Sequence, residues 1–261
     1  MNTPDIPPDL PRTALVTGAA RRIGRAIALD LAGLGFAVAV HYRRSRADAE
    51  GLVGEIAQSG GRAIALAGDL ASEAEVQTLV PRAVQALGPL GLLVNNASLF
   101  QRDEALTVTR ESWDAHLEIN LRAPFVLSQT FARQLPANAT GLIVNLIDER
   151  VWNLTPHFTS YTLSKAGLWT LTQTLALALA PRVRVNAIGP GPVLPSPRQS
   201  QEQFDRQIAG VPLGRGPSLA EICAAVRFLV GQPAVTGQMI ALDGGQHLNW
   251  ASPLRNPGPE E

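Results

Sequence analysis

The strongest constraint on the fold is an alternation. Short apolar runs at 13–17, 36–40, 63–67, 92–95, 142–146, 183–188 and 238–242 are separated by longer stretches of helix formers, at about 25–34, 46–58, 72–87, 111–135, 159–180 and 219–230. Runs this short suit strands that are covered on both faces. Parallel strands need crossover connections, and a helix between successive runs supplies each one. The pattern predicts an α/β protein with a doubly wound parallel sheet. No break in composition divides it, so residues 12–250 are expected to form a single domain. The Pro-rich start, 1–11, reads as a flexible tail, and so does the Pro/Gly/Glu stretch 251–261. The segment from Pro192 to Arg215 shows no clear period and is expected to be loose and to cover the site.

In open α/β sheets ligands bind beyond the carboxyl ends of the strands, so the residues just after each run are the first candidates. After the first run comes Gly18-Ala19-Ala20-Arg21-Arg22-Ile23-Gly24, ahead of a helix. A glycine turn there lets a pyrophosphate approach the free N–H groups at the helix start. The spacing is T-G-x5-G rather than G-x-G-x-x-G, and Arg21 and Arg22 add two cationic donors. After the second run stands Tyr42-Arg43-Arg44-Ser45-Arg46, with no acid before Asp48. Cations are unfavourable at a helix N-terminus. An acid at this point holds the ribose hydroxyls of NAD, whereas arginine and serine suit a 2′-phosphate. NADP(H) is therefore the expected cofactor, read by Arg44 and Ser45. Asp69 follows the third run. It either accepts from an adenine amino group or belongs, with Ser72, to the N-cap region of the next helix. Asn95-Asn96-Ala97-Ser98 ends the fourth run, where it either faces a ligand or makes a turn.

The candidate chemistry centres on Tyr161 and Lys165. A separation of four places them on one helix face. A free tyrosine titrates near ~10 and is a poor acid or base at neutral pH. A neighbouring ammonium is expected to lower that value. Such a pair can exchange a proton with a carbonyl or imine, although Tyr-x3-Lys alone also occurs on ordinary exposed helices. Asp148 follows the fifth run and can converge with Tyr161 across a strand–loop–helix connection. Its other reading is a surface acid beside Glu149 and Arg150. Asn120 lies in a helical stretch with Pro124 four residues later, so its carbonyl loses the helical N–H partner. A kink is expected, and the freed carbonyl is suited to hold a water in a proton relay.

Composition sets the exclusions. Lys+Arg and Asp+Glu both number 22, so the formal net charge is zero and gives no reason to expect nucleic acid or a membrane surface as partner. Cys223 is the single cysteine, and His41, His116, His157 and His247 lack ligand spacing, so no metal is expected. No apolar run reaches the ~18–20 residues of a membrane span. The start lacks the basic and apolar regions of a signal peptide. A soluble, cytoplasmic protein is expected.

Taken together, Thr17-Gly18 with Gly24, Asp69, Asn95-Asn96-Ala97, Asn120, Tyr161-x3-Lys165 and Asn186 with Pro190-Gly191 resemble the short-chain dehydrogenase/reductase family, over roughly residues 12–248. The resemblance implies a Rossmann fold, a nicotinamide cofactor and an oligomer, expected here as a homotetramer. It implies Tyr161 as acid/base, Lys165 as its partner and a ribose ligand, and Asn120 as the relay residue. Asp148 stands where the family usually has serine, and Arg22 where it usually has a middle glycine. These departures, with TGAARRIG, HYRRS, NNASLF and LDGGQHL, resemble the pteridine reductase and dihydromonapterin reductase branch. That resemblance places Gly18, Arg21, Arg22, Ile23, Gly24, Tyr42, Arg43, Arg44, Ser45, Asp69, Leu70, Asn95, Ala97, Ser98, Tyr161, Lys165, Pro190, Gly191 and Val193 around NADPH. It implies that Arg22, Ser98, Phe100, Asp148 and Tyr161 meet a pterin, with Phe100 stacked opposite the nicotinamide. The expected reaction is reduction of a C=N bond in a pterin or dihydropterin, the proton passing through Tyr161, Asp148 and a water relay. A ketone or 3-oxoacyl reductase is a second reading, against which Asp148 and Phe100 argue. A non-catalytic NADP(H) sensor is a third, against which the intact Asn120, Tyr161 and Lys165 argue.

Overall fold

The structure, a computed structural model, describes residues 5–196 and 198–249. Residues 1–4 and 251–261 of the two expected tails lie outside the described residues. Strands β1 (Thr13–Val16), β2 (Ala37–Tyr42), β3 (Ala63–Ala67), β4 (Leu92–Asn95), β5 (Gly141–Leu146), β6 (Val183–Pro190) and β7 (Met239–Leu242) alternate with helices. These are α1 (Arg22–Gly33), α2 (Arg46–Gln58), α3 (Glu73–Leu87), α4 (Arg110–Leu117), α5 (Ala123–Gln134), α6 (Thr159–Leu179), α7 (Gln201–Ala209) and α8 (Leu219–Val230). Among the described residues the strands form one parallel sheet in the order β3-β2-β1-β4-β5-β6-β7. The order reverses between β1 and β4, which opens a crevice beyond their carboxyl ends. The doubly wound expectation holds.

Side chains alternate across each strand and feed two helical layers. Val16, Val40, Val94 and Val144 pack with Ile27 and Leu31 of α1, Leu52 of α2 and Val226 of α8. Leu15, Ala39, Leu93 and Ile143 point the other way, to Leu79 of α3, Leu127 and Phe131 of α5 and Leu175 of α6. Both faces are apolar, which is why these strands read as continuous runs rather than as alternating patterns.

Four expectations change. α1 begins at Arg22 rather than near Arg25, so the glycine turn feeds the helix directly. The stretch expected as one helix over 111–135 is broken into α4, a π-helical turn at Glu118–Arg122, and α5. There the Ala123 N–H reaches back to the Glu118 carbonyl. Pro124 has no N–H for Asn120, and the wider turn absorbs the mismatch. The segment read as loose contains α7, opened by a capping box. Ser200 accepts from the Gln203 N–H, and the Gln203 side chain accepts from the Ser200 N–H.

The fourth change concerns the expected N-terminal tail. Residues 5–11 are packed rather than loose, because the segment carries two apolar anchors. Ile6 and Leu10 are 6% and 3% exposed in the core beside α1 and α8, and the Asp9 carbonyl accepts from the Thr140 N–H at 3.0 Å. Leu10→Ala is expected to cost about 2–5 kcal/mol in urea unfolding, the scale of a large-to-small core change. A loss below about 0.5 kcal/mol, typical of surface positions, would show that this segment does not belong to the core.

Candidate active site

The first turn of α6 is held from outside. Phe158 at its N-cap has a φ of 60°, a left-handed conformation that costs a non-glycine residue about 1–3 kcal/mol. Asp103 supplies the cap. Its carboxylate accepts from the Ser160 N–H at 3.1 Å and from the Ser160 hydroxyl, and its carbonyl accepts from the Phe158 N–H at 2.8 Å. Burial pushes the Asp103 carboxyl up, but the bonds from Ser160 and Ser112 outweigh it and hold the group below its ordinary value. Buried His116 joins the same network: its Nδ1 is 2.8 Å from the Ser160 hydroxyl, and its Nε2 accepts from the Gln101 N–H at 3.2 Å. These bonds fix where Tyr161 stands.

The Tyr161 hydroxyl donates to Asp148 Oδ2 at 2.7 Å. The other carboxylate oxygen, Oδ1, accepts from the Arg150 N–H at 2.9 Å. Lys165 Nζ donates to the Leu146 carbonyl at 2.8 Å and lies 5.8 Å from the centre of the Tyr161 ring. Lys165 is 2% exposed, and burial lowers its pKa to about 8 against the opposing charge of Asp148. The expected lowering of the Tyr161 pKa is overturned. Burial first, then the charge and hydrogen bond of Asp148, push the phenol well above its ordinary value. A carboxylate in direct contact outweighs an ammonium set farther off. At neutral pH Tyr161 is therefore a phenol, and its available chemistry is proton donation. Beside it, Glu149 is 5% exposed, and burial, then the charges of Asp148 and Asp243, push its carboxyl up to about 8.

These groups border a cleft of about 240 Å³. Of the expected residues, Arg22, Ile23, Ser98, Phe100, Asp148, Tyr161, Lys165, Pro190, Gly191 and Val193 line it. Gly18 and Gly24 make the turn behind Ile23. Gly18 has a φ of +61°, and a Cβ on Gly24 would meet the Gly18 carbonyl oxygen at 2.4 Å, so both positions require glycine. Ala97 is the atom wall nearest a Cβ on Gly18. Asn95 does not line the cleft. It is buried, and its side chain donates to the Asn145 side chain at 2.8 Å. Asn96 lines the cleft instead, with Nδ2 donating to the Thr17 carbonyl at 2.8 Å.

Asn120 is not a cleft residue either. Its Oδ1 accepts from the Leu99 N–H at 2.8 Å, and its Nδ2 donates to the Leu99 carbonyl at 2.9 Å and to Ser164 Oγ at 3.0 Å. It pins the segment carrying Ser98 and Phe100 to α6. Phe100 stacks on Phe158, with ring centres 4.6 Å apart and planes 9° apart. One of its faces is thereby taken.

Tyr42 ends β2, and Arg43, Arg44 and Ser45 follow it on the same edge of the sheet, beside Asp69 and Leu70. Arg43 Nη1 lies 3.9 Å from Asp69 Oδ1, and that oxygen accepts from the Ala71 N–H at 3.0 Å. Arg21 pairs with Asp48 at 2.6 Å and Arg46 with Glu50 at 2.7 Å. The arginine cluster is thus partly compensated within the chain. Among the described residues Arg44 has no acidic partner, and Ser45 precedes α2 without capping it. Arg22 reaches over the cleft to the carbonyls of Leu194 at 3.2 Å and Pro195 at 3.0 Å. On the other side, Arg198 donates to the Phe100 carbonyl. The segment after β6 is thereby tied down at both edges of the cleft.

Several residues of the site carried no signal in the sequence. His41 accepts from the Gly18 N–H at 3.1 Å through Nδ1, and its Nε2 is 3.1 Å from the Gly68 carbonyl. Burial lowers its pKa to about 4, so the ring is neutral and locks the glycine turn. Arg150 and Gln246 line the cleft, and nothing in their sequence context marks them. Phe204 and Gln207 come from α7, whose Ser200-x-x-Gln203 was a readable helix start. Among the described residues no cluster could hold a metal ion, and no helix is long and apolar enough to cross a membrane.

The family described as short chain dehydrogenase matches residues 12–206. This chain belongs to the short-chain dehydrogenase family. Its likeness to FolM alternative dihydrofolate reductase 1 from Brucella canis, solved in complex with NADP, is 51% in sequence with a TM-score of 0.90, over 92% of this chain and 96% of that one. Among curated relatives, the 3-oxoacyl-[acyl-carrier-protein] reductase of Synechocystis sp. is 33% identical over 90% of this chain and 96% of its own length. The enzyme of the same name, FabG, from Staphylococcus epidermidis is 34% identical over 91% of this chain and 99% of its own.

The buried Glu149 gives a testable pH dependence. Its folded pKa is raised to about 8 from an ordinary value of 4.5. Between those values the folded form holds a proton that the unfolded form has lost, so stability falls as pH rises through this window. Relative to Glu149→Gln, the wild type should lose stability steadily from about pH 5 to 8, read by urea unfolding midpoints. A difference between the two proteins that does not change with pH would show that Glu149 is ionised in the fold.

Proposed function

We propose that the protein is an NADPH-dependent reductase of pterins or dihydropterins. The observation that carries this reading is the 2.7 Å bond from Tyr161 to Asp148, with the phenol held protonated, on a cleft bordered by Phe100. Reduction of a C=N bond needs a hydride at carbon and a proton at nitrogen. A phenol backed by a carboxylate is an acid with its own route for replacement of the proton. The 51% identity to the Brucella FolM protein supports the same substrate class. The 3-oxoacyl reductases lie further away, at 33–34%.

The residues present fit a dinucleotide. The glycine turn leaves no room for a Cβ at Gly24, and the first turn of α1 holds no acid and no side-chain cap, which leaves its N–H groups available to phosphate. Arg44, without an acidic partner among the described residues, and Ser45 are the residues for a 2′-phosphate. Bound there, NADPH supplies the hydride. Tyr161 gives its proton to the substrate nitrogen, and the Asp148 carboxylate takes up a proton from solvent and passes it to the phenolate, which restores both groups. Lys165, buried within reach of the ring, stabilises the phenolate in the interval. Asn120 acts by holding Ser98 and Phe100 in place.

The first test is steady-state NADPH oxidation with dihydropterins, dihydrofolate, simple ketones and 3-oxoacyl thioesters. Turnover with the pterins is expected. Turnover confined to ketones or thioesters would replace this reading with that of a 3-oxoacyl-type reductase. Tyr161→Phe should lower kcat at least ~10²-fold, the scale of a lost general acid, and near-normal turnover would remove Tyr161 from the mechanism. Arg44→Ala should weaken NADPH much more than NADH in fluorescence titration. Equal losses for both cofactors would mean that Arg44 does not read the 2′-phosphate.

A further inference from the structure

Two buried polar atoms on residues that line the cleft lack a hydrogen-bond partner among the described residues. One is Nη1 of Arg150, a residue only 6% exposed, and the other is Oε1 of Gln246. Both residues line the cleft that holds Asp148 and Tyr161. The short helical turns that carry them, Glu149–Val151 and Gln246–Leu248, pack on each other.

The Arg150 guanidinium is held in place. It lies 4.7 Å from the centre of the Phe158 ring and 5.5 Å from that of Phe100, which is cation–π geometry. Its Nε is 3.9 Å from Asp148 Oδ1, too far for a hydrogen bond. That oxygen is already used by the Arg150 backbone. A buried guanidinium N–H without an acceptor is costly, and the left-handed Phe158 adds strain beneath it. Proton transfer through Tyr161 and Asp148 requires none of this. A ligand that brings an acceptor to Nη1 and a donor to Oε1 accounts for both atoms.

We propose that Arg150 and Gln246 read the polar edges of the substrate. Arg150 Nη1 donates to a ring carbonyl oxygen or an unprotonated ring nitrogen, and Gln246 Oε1 accepts from a ring N–H or amino group. The ligand class is a planar heterocycle that presents both an acceptor and a donor, such as an aminopyrimidinone. A 3-oxoacyl thioester presents acceptors beside its reacting carbonyl and no donor there. Sites built around such bonds reject analogues that lack the matching group, because the protein atoms are then left unpaired. This inference rests on the pterin reading of the cleft and assigns its specificity.

The test uses Arg150→Met, Arg150→Lys and Gln246→Leu. For each, the Kd of an oxidised pterin is measured on the NADP-bound protein by fluorescence quenching, together with the Kd of NADP and the kcat and KM of each substrate. Arg150→Met should weaken the pterin at least ~10-fold, the scale of a lost charge-assisted hydrogen bond. Arg150→Lys, which keeps the charge without the planar fork, should restore part of the loss. Gln246→Leu should weaken the pterin about fivefold. NADP affinity should stay within about twofold of the wild type in all three.

An unchanged pterin Kd in the arginine and glutamine variants overturns the proposal. So does a parallel loss of NADP affinity, which marks a scaffold role. Should Arg150→Met fail to fold, Arg150→Lys decides alone, since its pterin Kd must still rise. If the wild-type protein binds no pterin, the functional reading fails separately. The same variants are then read on whichever substrate turns over. A rise in KM in both, with kcat held, on a substrate that presents both an acceptor and a donor keeps the edge-reading assignment, whereas turnover confined to thioesters, no turnover at all, or no rise in either removes it.

Discussion

The hydrogen bond between Tyr161 and Asp148 is the interaction on which the cleft depends. It joins the end of β5 to the first turn of α6, and both ends are fixed before any ligand arrives. Asp148 is held by the Arg150 N–H, and α6 is held by the Asp103 cap. Lys165, one turn further along, ties the same helix to the last residue of β5 through the Leu146 carbonyl. A buried charged bond of this kind is costly to break from one side, because the remaining partner is left uncompensated in a low-dielectric site. The geometry is rigid for that reason, and a proton passed along it needs little rearrangement.

Around that bond the cleft concentrates charge in a small volume. Asp148, Glu149, Arg150 and Lys165 come from one short stretch and one facing helix turn, and all but Asp148 are nearly inaccessible to water. The environment sorts them. Glu149 is driven toward its neutral form, Lys165 is brought to about 8, and Tyr161 is kept a phenol. Sites that separate the pKa values of neighbouring groups in this way are suited to acid–base work near neutral pH. The segment after β6 closes over this chemistry, tied by Arg22 on one side and Arg198 on the other.

Much of this was legible in the sequence, and the failures have physical causes. The strand runs and most helices were readable because both sheet faces are buried, which makes strands short and continuously apolar. Gly18, Gly24, Tyr161 and Lys165 were readable because their spacing along one element sets their relation. At the end of β4 the side chains alternate, so Asn96 lines the cleft and Asn95 turns to Asn145, a division the residue types alone do not state. α7 was missed although its capping box was present. Residues 5–11 were misread because proline content outweighed two apolar anchors, Ile6 and Leu10. At Asn120 the proline four residues on does break the helix, as its spacing predicts, and the structure adds that the side chain of Asn120 is spent on Leu99 and Ser164.

The sequence by itself determined the layer order of the fold, the glycine turn and the placing of Tyr161 and Lys165 on one helix face, because each follows from local periodicity or from short spacing. Only the tertiary structure decided the protonation of Tyr161, the burial of Glu149 and Arg150, the neutral lock of His41 and the grouping of Gln246 with Arg150. Those depend on desolvation and on contacts between segments up to about a hundred residues apart. Burial sets a pKa, and no local pattern states which side chains will be buried together.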